Sequence, residues 1–192
     1  MQTISRSNDT IFLTNGGFVK LPTSHYVGEL YGGGVVFYVD QTGQHGFICS
    51  MIDLSTTQPW SNINGTGIGI TAQSDWDGQG NTNAIIGQSG HTNSAAKLCN
   101  DYINVDYGTG VYSDWYLPAN GQLFKLYNTI YEVNKALDSD GNVATTAIVK
   151  AEYWSSTEAN SNFAWEFSFY NTYIVSHGKS NSSYYTRAVR RF

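Results

Sequence analysis

Charged side chains are scarce: Asp, Glu, Lys and Arg make up 13% of the 192 residues, about half of the usual share of roughly 25%. No basic run precedes the last six residues and the formal charge is −5. A nucleic-acid partner is thereby excluded, because binding a phosphate backbone takes clustered Lys and Arg that release counterions. No stretch approaches the ~20 apolar residues of a membrane span, so membrane insertion is not expected. The start, Met1-Gln2-Thr3-Ile4-Ser5-Arg6, has no apolar segment of the secretory kind. Cysteine is almost absent. Cys49 and Cys99 leave one bridge and two buried thiols equally open, since a bridge needs Cα atoms within roughly 4.4–6.8 Å.

What is abundant is aromatic and small: Tyr, Phe and Trp reach 15%, and there are 20 Gly. A disordered chain has few aromatics and high net charge, so an ordered core is expected, in one domain or one domain with a tail. Residues 1–27 read as a separate N-terminal hairpin or stalk end. Thr10–Thr14 and Phe18–Pro22 flank Asn15-Gly16-Gly17, where Asn-Gly supplies the positive φ of a hairpin turn. A lone hairpin is marginal in water and calls for a partner surface.

From Gly28 the pattern changes. Val35–Val39 and Gly46–Met51 flank Asp40-Gln41-Thr42-Gly43 as a second hairpin, apolar enough to be largely buried. Residues 62–90 are polar and glycine-rich and read as a long ordered surface loop pinned by Trp60, Trp76, Ile85 and Ile86. Ala95, Leu98, Cys99 and Tyr102 predict a short helix behind the capping candidates Thr92, Asn93 and Ser94. Leu123, Leu126, Tyr127, Ile130 and Leu137 predict a longer one, opened near Pro118 and closed before Asp138. The last third returns to strands, with Trp165, Phe167 and Phe169 on one face and Ser168 and Tyr170 facing out.

Catalytic patterns are thin. His25, His45, His91 and His177 make no His-x-x-x-His or His-Glu-x-x-His spacing. Gly32-Gly33-Gly34 and Gly65, Gly67 and Gly69 do not match phosphate-cradling motifs. Asp75-Trp76-Asp77-Gly78 and Asp138-Ser139-Asp140-Gly141-Asn142 place carboxylates two apart before Gly, as calcium loops do, without the Glu that closes such a loop. No cofactor is expected beyond a structural calcium, with polar turns as the alternative.

The strongest local signal lies in 159–186. These residues include six Ser, four Asn, four Tyr and three Phe, with only Glu166 and Lys179 charged. Rigid aromatics among small polar residues are the composition of a paratope: Tyr brings contact area at low entropic cost, Ser and Asn bring adaptable hydrogen bonds.

Several motifs occur in one order: Gly32–Gly46, Ala95-Ala96-Lys97-Leu98-Cys99, Asp114-Trp115-Tyr116-Leu117-Pro118, Tyr153–Glu158, Ala164-Trp165 with Phe169, and Arg187-Ala188-Val189-Arg190. From about Tyr31 onward the chain resembles the bacterial and phage domain family named for the C-terminal domain of the Legionella collagen-like protein, of the C-type lectin-like fold. The resemblance implies an α+β domain over 28–192, with two helices around a twisted antiparallel sheet and long ordered loops. It makes Trp154, Trp165, Phe169 and the Arg187–Arg190 run framework positions. It also implies display at the tip of a phage tail fibre or a bacterial surface adhesin, hence a virion or cell-surface location, and a homo-oligomer, a trimer at a fibre tip.

Such sequences are also similar to the variable proteins of diversity-generating retroelements, in which adenine-directed mutagenesis rewrites Asn codons. Those codons cannot become Met, Lys, Gln, Glu or Trp. In 159–186 only Trp165, Glu166 and Lys179 fall in that set, which marks them as fixed. The expected partner is a host cell-surface protein or glycan. The residues expected to contact it are Asn160, Asn162, Phe163, Ser168, Tyr170, Asn171, Tyr173, Val175, His177, Ser180, Asn181, Ser183 and Tyr184. Two other roles fit the same fold: an enzyme related to formylglycine-generating enzymes, which would need its thiols at an open site, and a purely structural cap that trimerises a fibre.

Overall fold

The computed structural model describes residues 2–7, 9–21, 24–105 and 110–192. Strands β1 (Ile4–Ser7), β2 (Thr10–Leu13) and β3 (Gly17–Lys20) form an antiparallel meander. Leu13 pairs with Gly17 and Phe12 with Phe18, so the turn spans Thr14 to Gly16, one residue earlier than Asn15-Gly16-Gly17, and Gly16 carries the positive φ of 91°. Pro22, the expected end of that hairpin, lies outside the described residues. The body of the protein takes in the chain ahead of Gly28, since the His25 ring packs on Tyr31 and Phe192 at 4.0 and 4.9 Å.

The body is mixed α+β. Strands β4 (Leu30–Tyr31), β5 (Gly34–Val39) and β6 (Gly46–Ser50) are followed by helices α1 (Gly78–Ile86) and α2 (Ala95–Asn100) and the short strands β7 (Asn104–Val105) and β8 (Val111–Tyr112). Helices α3 (Asn120–Asn128) and α4 (Ile130–Ser139) lead to β9 (Glu152–Glu158), β10 (Phe163–Ser168), β11 (Ile174–Gly178) and β12 (Val189–Arg191). The sheets are β12-β6-β5-β4, β11-β10-β9 and the ribbon β7-β8, all antiparallel.

The central sheet is covered on both faces, which is why its strands read as unbroken apolar runs. Val35, Phe37 and Cys49 turn toward Leu123, Leu126, Val133 and Leu137 of α3 and α4. Val36 and Ile48 turn the other way, onto Trp60, Ile85, Ala96, Cys99, Trp115 and Trp154. Cys49 and Cys99 therefore sit in different cores as free thiols, and the bridge does not form.

The helices depart from the sequence pattern in two places. The long helix is broken at Thr129, whose side chain donates to the Phe37 carbonyl at 3.0 Å. That carbonyl is available because β5 and β6 shift register between Val36 and Tyr38. Part of the expected surface loop 62–90 is instead helix α1, capped by Asp77, which accepts from the Gly80 N–H. Its buried face is Gly78, Asn81, Thr82 and Ile85. Asn81 donates to the Ser74 carbonyl and the Ser156 hydroxyl, and Thr82 accepts from the Leu117 N–H. A helix buried through polar side chains has no apolar stripe to betray it. With α2, α3 and α4 it makes four α-helices among the described residues, not two.

The arginines of the C-terminal run are structural. Arg190 forms a two-point pair with Asp114 at 2.6 and 3.0 Å and lies 4.2 Å over the Tyr112 ring. Arg187, 1% exposed, reaches the Thr146 and Ile52 carbonyls and Asp53. Trp154 and Trp60 are fully buried and donate their indole N–H groups to the carbonyls of Gln58 and Ser155. Trp76, expected to pin a loop, is 60% exposed.

Candidate recognition surface

The residues singled out in 159–186 lie on and around the β10-β11 hairpin, and the fold separates them. Asn160 and Asn162 occupy the turn before β10, and Phe163 is the first residue of that strand. The loop after β11 returns beside them, where the Lys179 N–H donates to the Asn162 carbonyl at 3.0 Å, and presents Ser180, Asn181 and Ser183. Tyr170, Asn171 and Tyr173 form the turn at the opposite end of β10, roughly 20 Å away along a six-residue strand. Between the two groups runs β11, an edge strand carrying exposed Ile174 and Val175 and half-buried His177.

Two placements are corrected. Ser168 does not face out: it is 2% exposed, on the face of β10 that also buries Ala164 and Glu166. Tyr184 is 8% exposed, its ring edge-on to Trp154 at 4.6 Å and 5.1 Å from His177. The loop carrying it folds back over β10, which local sequence does not foretell.

The exposed turns are braced from within. Asn160 accepts from the N–H groups of Asn162 and Phe163, Asn171 from Tyr173 and Asn181 from Ser183. Each is an Asx turn, in which the side-chain carbonyl closes the local backbone. These three side chains keep their NH2 groups for a partner while their carbonyls hold the loop. Thr172 is forced to φ 64°, a left-handed conformation that a β-branched residue rarely adopts.

Beneath the hairpin are the charged groups. Glu158 and Lys179 form an ion pair at 2.6 Å with both side chains fully buried. Glu158 also accepts from the N–H groups of Ile68 and Gly69, which ties the 62–69 loop to the end of β9. Lys179 lies 5.0 Å from the Trp60 ring. Glu166, 2% exposed, has its Oε1 3.8 Å from His177 Nε2 and its Oε2 without a hydrogen-bond partner. Burial first, then the Glu152 charge, pushes its carboxyl up to about 7. Trp165 is half-buried.

The remaining chemistry-bearing groups are placed as structure. Burial pushes the Cys49 thiol up to about 11 and that of Cys99 well above its ordinary value, so neither is a nucleophile at neutral pH. Asp77 caps α1 and pairs with Arg191 at 3.2 Å. Asp140 accepts from the Asn142 N–H and the Thr145 hydroxyl within its turn. Among the described residues, no group of three or more His, Cys, Asp or Glu is placed to hold a metal, and no helix is long and apolar enough to cross a membrane.

No protein-family model matches the chain, and no curated protein matches it. The family likeness rests on the ordered motifs alone.

Sequence reasoning missed the surroundings of the hairpin. The 62–69 loop packs against Ser161, whose carbonyl accepts from the Gly65 N–H. Trp76, Asn120 and Phe124 line an open cleft beside Trp165 and Ile174. An indole in the turn Asp75-Trp76-Asp77-Gly78, with no apolar neighbour to pack on in sequence, was the available signal.

Proposed function

We propose that this chain is a ligand-recognition module of the C-type lectin-like kind, similar to the Legionella collagen-like protein family and to retroelement variable proteins. It acts by binding rather than by chemistry, at the tip of a phage tail fibre or a bacterial adhesin. Its partner is a host cell-surface protein or glycan, and the contacts come from the exposed side chains of the β10-β11 hairpin and its flanking turns. Display as a homo-oligomer, a trimer on a fibre, raises avidity because each further site binds at high effective concentration.

One observation carries this reading: in 159–186, none of the residues that adenine-directed mutagenesis cannot create lies exposed, although reachable residues such as Ala164, Phe167 and Tyr184 are buried as well. Of the three residues that adenine-directed change of an Asn codon cannot create, Glu166 and Lys179 are buried and Trp165 is half-buried. Every exposed residue of the stretch, including Phe163, Tyr170, Tyr173 and Val175, is one that such change can create. On this reading the exposed set is the part free to vary, on a frame anchored by Glu166 and Lys179.

Replacing Tyr170 and Tyr173 together by Ala is expected to abolish binding to host cells while the unfolding temperature moves by no more than about 2–4 °C. Tyr184→Ala serves as the contrast, since truncating a buried ring costs about 3–5 kcal/mol. Host-cell binding that survives the double substitution, in protein shown to be folded, refutes the proposal.

A further inference from the structure

We propose that the cleft between the starts of α1 and α3 and the β10-β11 hairpin is a second binding site, for a neutral saccharide. The cleft encloses about 720 Å³ and is lined by Asp75, Trp76, Asn120, Phe124, Trp165 and Ile174 among others. That volume lies within the range of small-molecule sites.

Its walls are aromatic and wet: Trp76 is 60% and Phe124 48% exposed. Two large rings exposed within one concave site form a contiguous apolar patch, which is what marks a binding surface. Its floor is polar. Asn120 is 6% exposed, and its Oδ1 has no hydrogen-bond partner. The Asn120 amide donates to Asp75 Oδ1 at 3.3 Å, which sets the orientation of the group and leaves its carbonyl as the orphan. A buried polar atom without a partner costs about 1–3 kcal/mol, a cost that a ligand hydroxyl donating to it removes. The exposed Asp75 carboxylate adds further acceptor capacity beside it.

The parts are held in place before any ligand arrives. The Gly121 N–H donates to the Asp75 carbonyl at 2.8 Å. A Cβ on Gly121 would come within 2.6 Å of the Trp76 ring and 2.7 Å of that carbonyl. Only glycine lets the start of α3 close on the indole. The Asn120 N–H donates to Thr157 Oγ1, which in turn donates to the Ser74 carbonyl. Walls and floor form one preorganised unit, which lowers the ordering cost of binding.

Acceptors on the floor call for hydroxyl donors, and aromatic walls call for a flat apolar face; a pyranose ring offers both. An amine would also satisfy the acceptors, but Lys125 Nζ already lies 5.9 Å from the Trp76 ring and 3.8 Å from that of Tyr38, so a second cation on the indole meets like charge. Phe163, Tyr170 and Tyr173 do not line the cleft, and the inference holds whether or not they bind a receptor.

The test is titration with maltotetraose, cellotetraose, mannotetraose and chitotetraose at up to about 20 mM, followed by tryptophan emission and calorimetry. At least one should give a saturable blue shift. Trp76→Ala and Asn120→Ala, each checked by urea unfolding, should weaken it about ten-fold or more. Tyr170→Ala with Tyr173→Ala should leave it unchanged. The proposal is overturned if none of the four binds, if binding persists in both cleft variants, if n-butylamine binds in place of the sugars, or if the tyrosine pair abolishes the signal.

Discussion

Glu166 makes the stability of this protein depend on pH in a way that one isosteric change should erase. The carboxyl sits on the middle strand of the β11-β10-β9 sheet, with one oxygen unpartnered and Glu152 nearby on β9. Burial, reinforced by Glu152, lifts it from the ordinary 4.5 to about 7. A folded-state value above the unfolded one means that the native protein holds the proton more tightly, so the stabilisation is fully present below pH 4.5 and is lost as pH rises through 7. At 1.36 kcal/mol per pH unit the ionised form costs about 3 kcal/mol once the group has titrated.

Glu166→Gln keeps the shape and removes the charge. Wild type and variant should differ by less than about 1 kcal/mol at pH 5. At pH 8 the variant should be more stable by about 3 kcal/mol, or roughly 6–12 °C for a chain of this size. Urea midpoints at pH 5, 6, 7 and 8, with a common slope, measure the difference directly. Asp53, which burial also raises, is present in both proteins and cancels. Parallel decline of the two proteins from pH 5 to pH 8 would refute the assignment.

Lys179→Met leaves Glu158 buried with two backbone N–H groups and no counter-charge, and should cost about 3–5 kcal/mol. Adding Glu158→Gln should recover part of that loss in a double-mutant cycle, and a single-variant cost below about 1 kcal/mol would show that the pair does not hold the 62–69 loop. Thr172→Gly should raise the urea midpoint by the equivalent of about 1 kcal/mol, the strain of a β-branched residue in the left-handed region less the added freedom of the unfolded chain; a lowered midpoint would place the strain elsewhere.

Some of this was legible residue by residue. The apolar runs at 35–39 and 46–51 announced largely buried strands, and of the capping candidates ahead of Ala95 it is Ser94 that accepts from the Lys97 N–H at the start of α2. The composition of 159–186 pointed to the stretch that forms the exposed hairpin turns. The division within that stretch was not legible. Ser168 and Tyr184 have the composition of contact residues, but the first belongs to a middle strand and the second is carried inward by a loop that packs it on Trp154.

Local pattern determined what depends on periodicity and on turn chemistry: the core strands, the helix start at Ser94, and the polar turns. Tertiary structure alone decided what depends on partners far along the chain. Helix α1 exists as a buried element because Asn81 and Thr82 find Ser156 and Leu117, 75 and 35 residues away. The break between α3 and α4 depends on a carbonyl 92 residues distant. The cleft exists because Gly121 lets α3 close on Trp76 and bring the unpartnered Asn120 carbonyl beneath it. Apolar burial follows a repeat along the chain, whereas a hydrogen bond between distant polar groups leaves no repeat to read.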